Sequence, residues 1–242
     1  MPRTIAVIHA RNHAHTLERL ALEPLHDTTS ILEFQSRRLR NIHGIDELVI
    51  ATSAQNTDDG IASIAHAEGI RVFRSEDNDT LSSLLDVADQ TLANTLIYIT
   101  PASPFCDPDI IAQSVVEHGS NNSEFTTLSE NTLPDGFFAE LISQPVLKQL
   151  NVDARIAGAD RENIFNFIRH HRDEYRTHSV SVAMSASPPQ QGVAVRRAED
   201  LEMLRAMHAT LKERDWPVDM LHICKLLHEF SVLNSIIKGL AC

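Results

Sequence analysis

Arg11 ends the run Val7-Ile8-His9-Ala10-Arg11, directly after an apolar N-terminal stretch. A guanidinium leaving a strand offers a fixed charge and a planar fork of donors to a phosphate or carboxylate; the competing reading is a structural ion pair. His9, His13, His15 and His26 cluster around it in sequence. Imidazoles there could hold a metal or a phosphate. No carboxylate or cysteine stands at ligand spacing beside them, so they read as solvated loop histidines. Glu76, Asp77 and Asp79 form an acidic group that reads as a solvated turn. Cys106 follows Pro104-Phe105 and reads as a small buried side chain, because the sequence places no base near it. His170 and His171, flanked by Arg169 and Arg172, read as a charge-compensated helix end.

The elements that must position these groups alternate. Residues 4–9 are a short β-branched strand, and 31–42 have helical spacing. Residues 47–52 (ELVIAT) are continuously apolar, as a strand covered on both faces requires. Residues 58–68 form a helix closed by Gly69, 70–73 a strand, 80–93 a helix and 95–100 (TLIYIT) a second central strand. Residues 109–118 form a helix ended by Gly119. This alternation predicts an α/β fold with a doubly wound, mostly parallel sheet. Ligands then bind at the carboxyl ends of the strands. Residues 9–15, 52–55 and 100–106 therefore surround one crevice.

The second half differs. Residues 121–131 are polar and turn-like, Pro134-Asp135-Gly136 is a turn signal, and 185–192 are a loop. Residues 137–142 and 179–184 are strand-like, and 162–171 are helical. Residues 199–213 carry an amphipathic stripe through Met203, Met207 and Leu211 that reads as core packing, and 218–238 are one or two further helices.

The formal net charge is −12 over 242 residues. That argues against nonspecific nucleic-acid binding and against docking on anionic membranes, since both need a basic face. No apolar run approaches the roughly 20 residues of a membrane span, and Met1-Pro2-Arg3 leads straight into a strand, so a cytoplasmic protein is expected. Cys106, Cys224 and Cys242 lack metal-type spacing and fit reduced thiols.

Several motifs, in order, resemble cytidylyltransferases of the spore-coat-polysaccharide type, relatives of the acylneuraminate- and Kdo-activating enzymes. VIHARNHAHTLERLALEPL (7–25) resembles V-I-x-A-R-x-x-S-T-R-L-P-G-K-x-L-x-P-L. DELVIATS (46–53) resembles the family's second strand. DDGIASIAHAEGIRVFRSEDNDTLSSL, from Asp58, resembles D-D-x-I-A-x-x-A-x-x-x-G-V-x-V-F-R-G-S-E-D-D-V-L. YITPASPFCDPDII (98–111) resembles R-I-T-G-D-C-P-L-I-D-P-x-x-I, and TLPDGFFAELIS (132–143) resembles T-x-P-D-G-x-D-V-E-V-F-S. RENIFNFIRHHRDEYR (161–176) and VRRAEDLEMLRAM (195–207) resemble R-E-H-V-T-x-Y-I-R and V-D-T-x-E-D-L-x-x-I-R. The resemblance implies one cytidylyltransferase-like domain over 1–242. Within it, 1–120 would form a nucleotide-binding half, 130–178 a small β/α dimerisation segment and 199–242 the C-terminal helices. It also implies a homodimer, and nucleotide contacts from Ala10, Arg11, His13, Thr100 and Ala102. Sugar contacts would come from Asp135, Glu140 and Arg161.

The departures fall where that chemistry should sit. CTP plus an acidic sugar gives a CMP-sugar and pyrophosphate, which requires Mg²⁺ held by carboxylates and a cationic, Gly-rich cradle. The family's two metal carboxylates are replaced by Ala102 and Arg196; its loop Gly, Arg and Lys by His13, Thr16 and Leu20. Ser75, Phe138 and Asn163 replace a further Gly, Asp and His. Arg11, Asp107, Asp135, Glu140, Arg161 and Asp200 survive, with Asp107 and Asp200 explicable as helix caps. Arg196 is expected to pair with Asp135 or Glu140 and close the old metal site; the alternative is that it stands in for the cation and holds a phosphate, with Arg11 opposite. The residues thus favour a degenerate member that binds a nucleotide or sugar, with no metal or other cofactor. The alternatives are an active enzyme with unusual site residues, which would need Mg²⁺, and a glycosyltransferase-like reaction through Asp77-Asn78-Asp79.

Overall fold

The computed structural model describes residues 2–12, 18–76, 79–129, 132–182, 189 and 191–240, with side chains through residue 230. Thus His13, His15, Thr16, Asp77, Asn78 and most of 185–192 lie outside the described residues. Strand β1 (Thr4–His9) leads to a small hairpin, β2 (Pro24–His26) and β3 (Thr29–Ser30), and helix α1 (Ile31–Leu39). Then follow β4 (Glu47–Ser53), α2 (Asp59–Ala67), β5 (Arg71–Ser75), α3 (Thr80–Thr91), β6 (Thr95–Ile99) and α4 (Pro108–Ser120). The second half supplies β7 (Phe125–Leu128), β8 (Glu140–Ser143), α5 (Gln144–Val152), α6 (Ala159–Glu162), α7 (Ile164–His170), β9 (Thr177–Val180), α8 (Ala198–Glu213) and α9 (Met220–Leu240).

Among the described residues, one seven-stranded sheet runs in the order β5-β4-β1-β6-β8-β7-β9. β1 pairs in parallel with both β4 and β6, while β8 runs antiparallel to β6 and β7. The expected mostly parallel, doubly wound α/β sheet is therefore present. The chain builds outward through β4 and β5, then crosses to start β6 on the other side of β1. That reversal opens a crevice above the carboxyl ends of β1 and β6.

β1 shows why its sequence is continuously apolar. Ile5 and Val7 enter one core with α3, α5 and α7; Ala6 and Ile8 enter another with α1, α2 and α4. A strand buried on both faces has no polar side to show. Capping follows local chemistry. Ser30 and Glu33 form a reciprocal capping box on α1, Asp79 accepts from the Ser82 amide, and Asp107 accepts from the Asp109 and Ile110 amides.

Five expectations change. Gly119 does not end α4, which continues to Ser120 before Asn122 turns with φ 48°. The polar stretch 121–131 contains β7. There the buried Thr126 hydroxyl meets His118 Nδ1 at 2.8 Å, a partner set by tertiary contact. Helix α5 went unread. The helix expected at 162–171 breaks at Asn163 into α6 and α7. Finally, β8 starts at Glu140 rather than at 137, because the Phe137 carbonyl accepts from the Asp107 amide. The apolar side chains of 130–178 also find cover within the protomer. Phe137, Leu141, Ile142, Ile164, Phe165 and Phe167 are all buried, so no second copy is needed to shield them.

Candidate functional site

Arg11 leaves β1 and immediately finds partners. Its guanidinium lies 3.7 Å from Glu162 of α6 and donates to the Asp79 carbonyl at 3.2 Å. Asp79 is bound a second time, by Arg161 at 3.1 Å, and Arg161 also donates to Ser82 and Asn151. Burial works against the Asp79 carboxylate, yet the Ser82 amide and Arg161 hold it below its ordinary range. In this structure Arg11 is thus engaged by an ion pair and a backbone carbonyl.

The next residue anchors the loop. The Asn12 amide donates to Asp58 at 3.0 Å, and its side chain donates to the Thr57 carbonyl. Asp58 also accepts from the Thr52 hydroxyl at 3.1 Å and from the Ser53 amide and hydroxyl at 3.2 and 2.6 Å. These four residues are nearly fully buried. Thr52 and Ser53 therefore serve, through Asp58, as scaffolding for Asn12.

His9 is buried against Tyr98, with ring centroids 5.7 Å apart. Burial, reinforced by Arg11, lowers its pKa from 6.5 to about 3. It is a neutral core imidazole, where a solvated loop residue was expected. His26 instead stacks on His208 of α8, 4.4 Å away and nearly coplanar, beside a second cavity lined by Arg205 and Lys212. His9 and His26 thus have different neighbours, and His13 and His15 lie outside the described residues. The Cys106 thiol is buried and its pKa is pushed up to about 12 by burial, as an inert core side chain requires.

Beyond β6 the crevice opens into a cavity of about 240 Å³. Its walls bring together Tyr98, Thr100, Ser103, Thr127, Asp135 and Phe138, with Glu140 and Arg169. Glu140 pairs with Arg169, the latter from α7. Burial pushes the Glu140 carboxyl up while Arg169 pulls it back down. Asp135 pairs with Arg196 at 2.5 Å, one of the two partners expected. The turn that presents Asp135 is tight. The Val193 amide donates to the Asp135 carbonyl and the Val195 amide to the Ala102 carbonyl, each at 2.7 Å. Gly136 takes φ 103°, and a Cβ there would lie 2.5 Å from the Ala194 nitrogen.

Of the sugar-contact residues expected, Asp135 and Glu140 share this cavity; Arg161 sits with Asp79 and does not line it. Thr100 lines the cavity, and its carbonyl accepts from Gln35 at 2.9 Å. Ala10 is buried, its amide bonded to the Ala51 carbonyl. Tyr98, Thr127, Arg169 and Glu162 were missed. Tyr98, Arg169 and Glu162 carry only the signal of membership in matched segments, which does not say which way a side chain faces, and Thr127 lies in the polar stretch read as turn-like.

The comparisons agree with this fold. Residues 5–233 match the family described as cytidylyltransferase. The chain belongs to that family. It is 26% identical over 212 residues to the spore coat polysaccharide biosynthesis protein SpsF of Bacillus subtilis, covering 86% of this chain and 87% of SpsF. It is also similar in fold to a cytidylyltransferase from Leptospira borgpetersenii, with TM-score 0.85, 21% identity and 96% of each chain covered. A second similar structure is CMP:2-keto-3-deoxy-manno-octonic acid synthetase complexed with CTP, with TM-score 0.64 and 14% identity, covering 86% of this chain and 99% of that one.

Mg²⁺ does not fit the carboxylates that this member of the family retains. Asp135 is engaged by Arg196, Asp200 accepts from the Arg196 and Arg197 amides, and Asp107 caps α4 and accepts from the Met220 amide. Among the described residues, no three His, Cys, Asp or Glu side chains are grouped so as to hold a metal. No described helix is long and apolar enough to cross a membrane.

Proposed function

We propose that this chain binds a nucleotide or a sugar in surface-polysaccharide metabolism without ordinary nucleotidyl transfer. The observation that carries this is the Arg196–Asp135 pair at 2.5 Å. A permanently charged guanidinium stands where the resemblance puts a metal carboxylate, and it engages the neighbouring acid. Ala102 at the other metal position, and Arg11 held by Glu162 and Asp79, support the same reading. The similarity to SpsF, a spore coat polysaccharide biosynthesis protein, supports the polysaccharide setting.

Pyrophosphate release from CTP plus an acidic sugar is expected at background, and the pair of changes Ala102→Asp and Arg196→Asp is not expected to restore it. CTP or CMP should raise the melting temperature by mass action, to the same extent with and without Mg²⁺. A specific Mg²⁺ site seen by calorimetry would overturn the proposal. So would robust CMP-sugar formation that Arg11→Ala abolishes, and either result would establish an active enzyme with unusual residues. The resemblance, rather than exposed apolar surface, supports the remaining parts: a nucleotide-binding half at 1–120, a homodimer through 130–178, C-terminal helices at 199–242 and a cytoplasmic setting. A monomer by light scattering at micromolar concentration would refute the dimer.

A further inference from the structure

The cavity above β6, β7 and β8 has an unusual charge balance for a family whose expected substrates are sugar acids. A carboxylate ligand needs a cation whose charge is not already compensated. Arg169 is the cation in the cavity wall, and it is engaged by Glu140. Arg196 does not line the cavity; its side chain is largely exposed and is engaged by Asp135. Asp135 and Glu140 both face the cavity. An incoming carboxylate would therefore meet two ion pairs and, among the described lining residues, no uncompensated base.

The rest of the wall suits a different ligand. The hydroxyls of Thr100, Ser103 and Thr127 and the phenol of Tyr98 can donate and accept, while Phe138 offers an apolar face. Carboxylates accept strong, charge-assisted hydrogen bonds from hydroxyl groups. A volume of about 240 Å³ admits one sugar ring.

We infer that this cavity binds an uncharged monosaccharide, with Asp135 and Glu140 accepting from its hydroxyls, and rejects sugar acids. The inference rests on the proposed role as a nucleotide or sugar binder and assigns the class of sugar. Rejection comes from the cost of desolvating a carboxylate where both arginines are already engaged, so that no cation compensates it.

The test uses equilibrium binding to the full chain, by calorimetry or saturation-transfer NMR at neutral pH. The probes are three matched pairs: glucose and glucuronate, galactose and galacturonate, mannose and mannuronate. In at least one pair the uncharged sugar should bind, and its acid should bind on the order of tenfold more weakly or not at all. Glu140→Gln should release Arg169 and narrow or invert that ratio. Thr127→Val should weaken the uncharged sugar about three- to tenfold without helping the acid, and it reports even if Glu140→Gln does not fold. Acids binding as well as their uncharged partners would overturn the inference. Glucosamine binding more tightly than glucose would overturn it too, as would no binding by any probe. These readouts are distinct from CMP-sugar production, so the two proposals fail separately.

Discussion

The crevice has two walls of different construction. On the β1–β4 side, polar groups hold the backbone: Asp58 accepts from Asn12, Thr52 and Ser53, all nearly fully buried. On the β6–β8 side, charges pair with charges around open volume, and Asp135 and Arg196 are 58% and 72% exposed at their side chains. The same crevice thus contains a wall whose acid is structural and a wall whose acids face a cavity. Burial, more than residue type, separates them. An enclosed carboxylate surrounded by donors is committed to the fold, whereas a half-solvated ion pair contributes little and can exchange partners.

The largest expected break in this contrast is Asp58→Ala. Four buried donors would lose their acceptor, and stability should fall by about 3–5 kcal/mol in urea unfolding. A loss below about 1 kcal/mol would show that water replaces the carboxylate easily. Gly136→Ala comes next. Its φ of 103° and the 2.5 Å approach to the Ala194 nitrogen predict a loss of about 2–4 kcal/mol and a loosened Asp135 turn.

His9 gives the first wall a pH signature. Its folded pKa is about 3 against an ordinary 6.5, so below 6.5 the unfolded chain binds the extra proton. Stability should fall as pH drops from about 6.5 toward 3, by up to about 1.4 kcal/mol per pH unit. His118, lowered to about 4 by burial, adds to the same slope, while Glu140, raised by burial, opposes it in the acid range. His9→Leu should flatten the slope of denaturant stability against pH; an unchanged slope would locate the protons elsewhere.

The smallest effect belongs to the second wall. Arg196→Ala should change stability by less than about 1 kcal/mol, because the pair is largely solvated. A large loss on the same unfolding assay would mean that the strap at 193–196 depends on this charge, and the contrast between the walls would weaken.

Much of the architecture was legible in order and type. Continuous apolar runs such as 47–52 mark strands buried on both faces, and Gly69 closes α2 with φ 65° as its position suggests. β7 was not legible, since Thr126 and Thr127 look like turn residues until His118 and β9 supply their setting. The site divided similarly. Asp135 facing Arg196 followed from a fixed positive charge standing at a former metal position beside a retained carboxylate. Glu140 facing Arg169, and Glu162 facing Arg11, join residues 29 and 151 apart, with no local signal of contact.

Periodicity, helix caps and ordered motifs, all short-range properties, sufficed to specify a mostly parallel α/β sheet with its crevice above β1 and β6. They also exposed the lost carboxylates at Ala102 and Arg196. Which charges neutralise each other was decided only when distant segments met. A charged side chain's behaviour depends on its partners and its access to water, and both are properties of the packed chain.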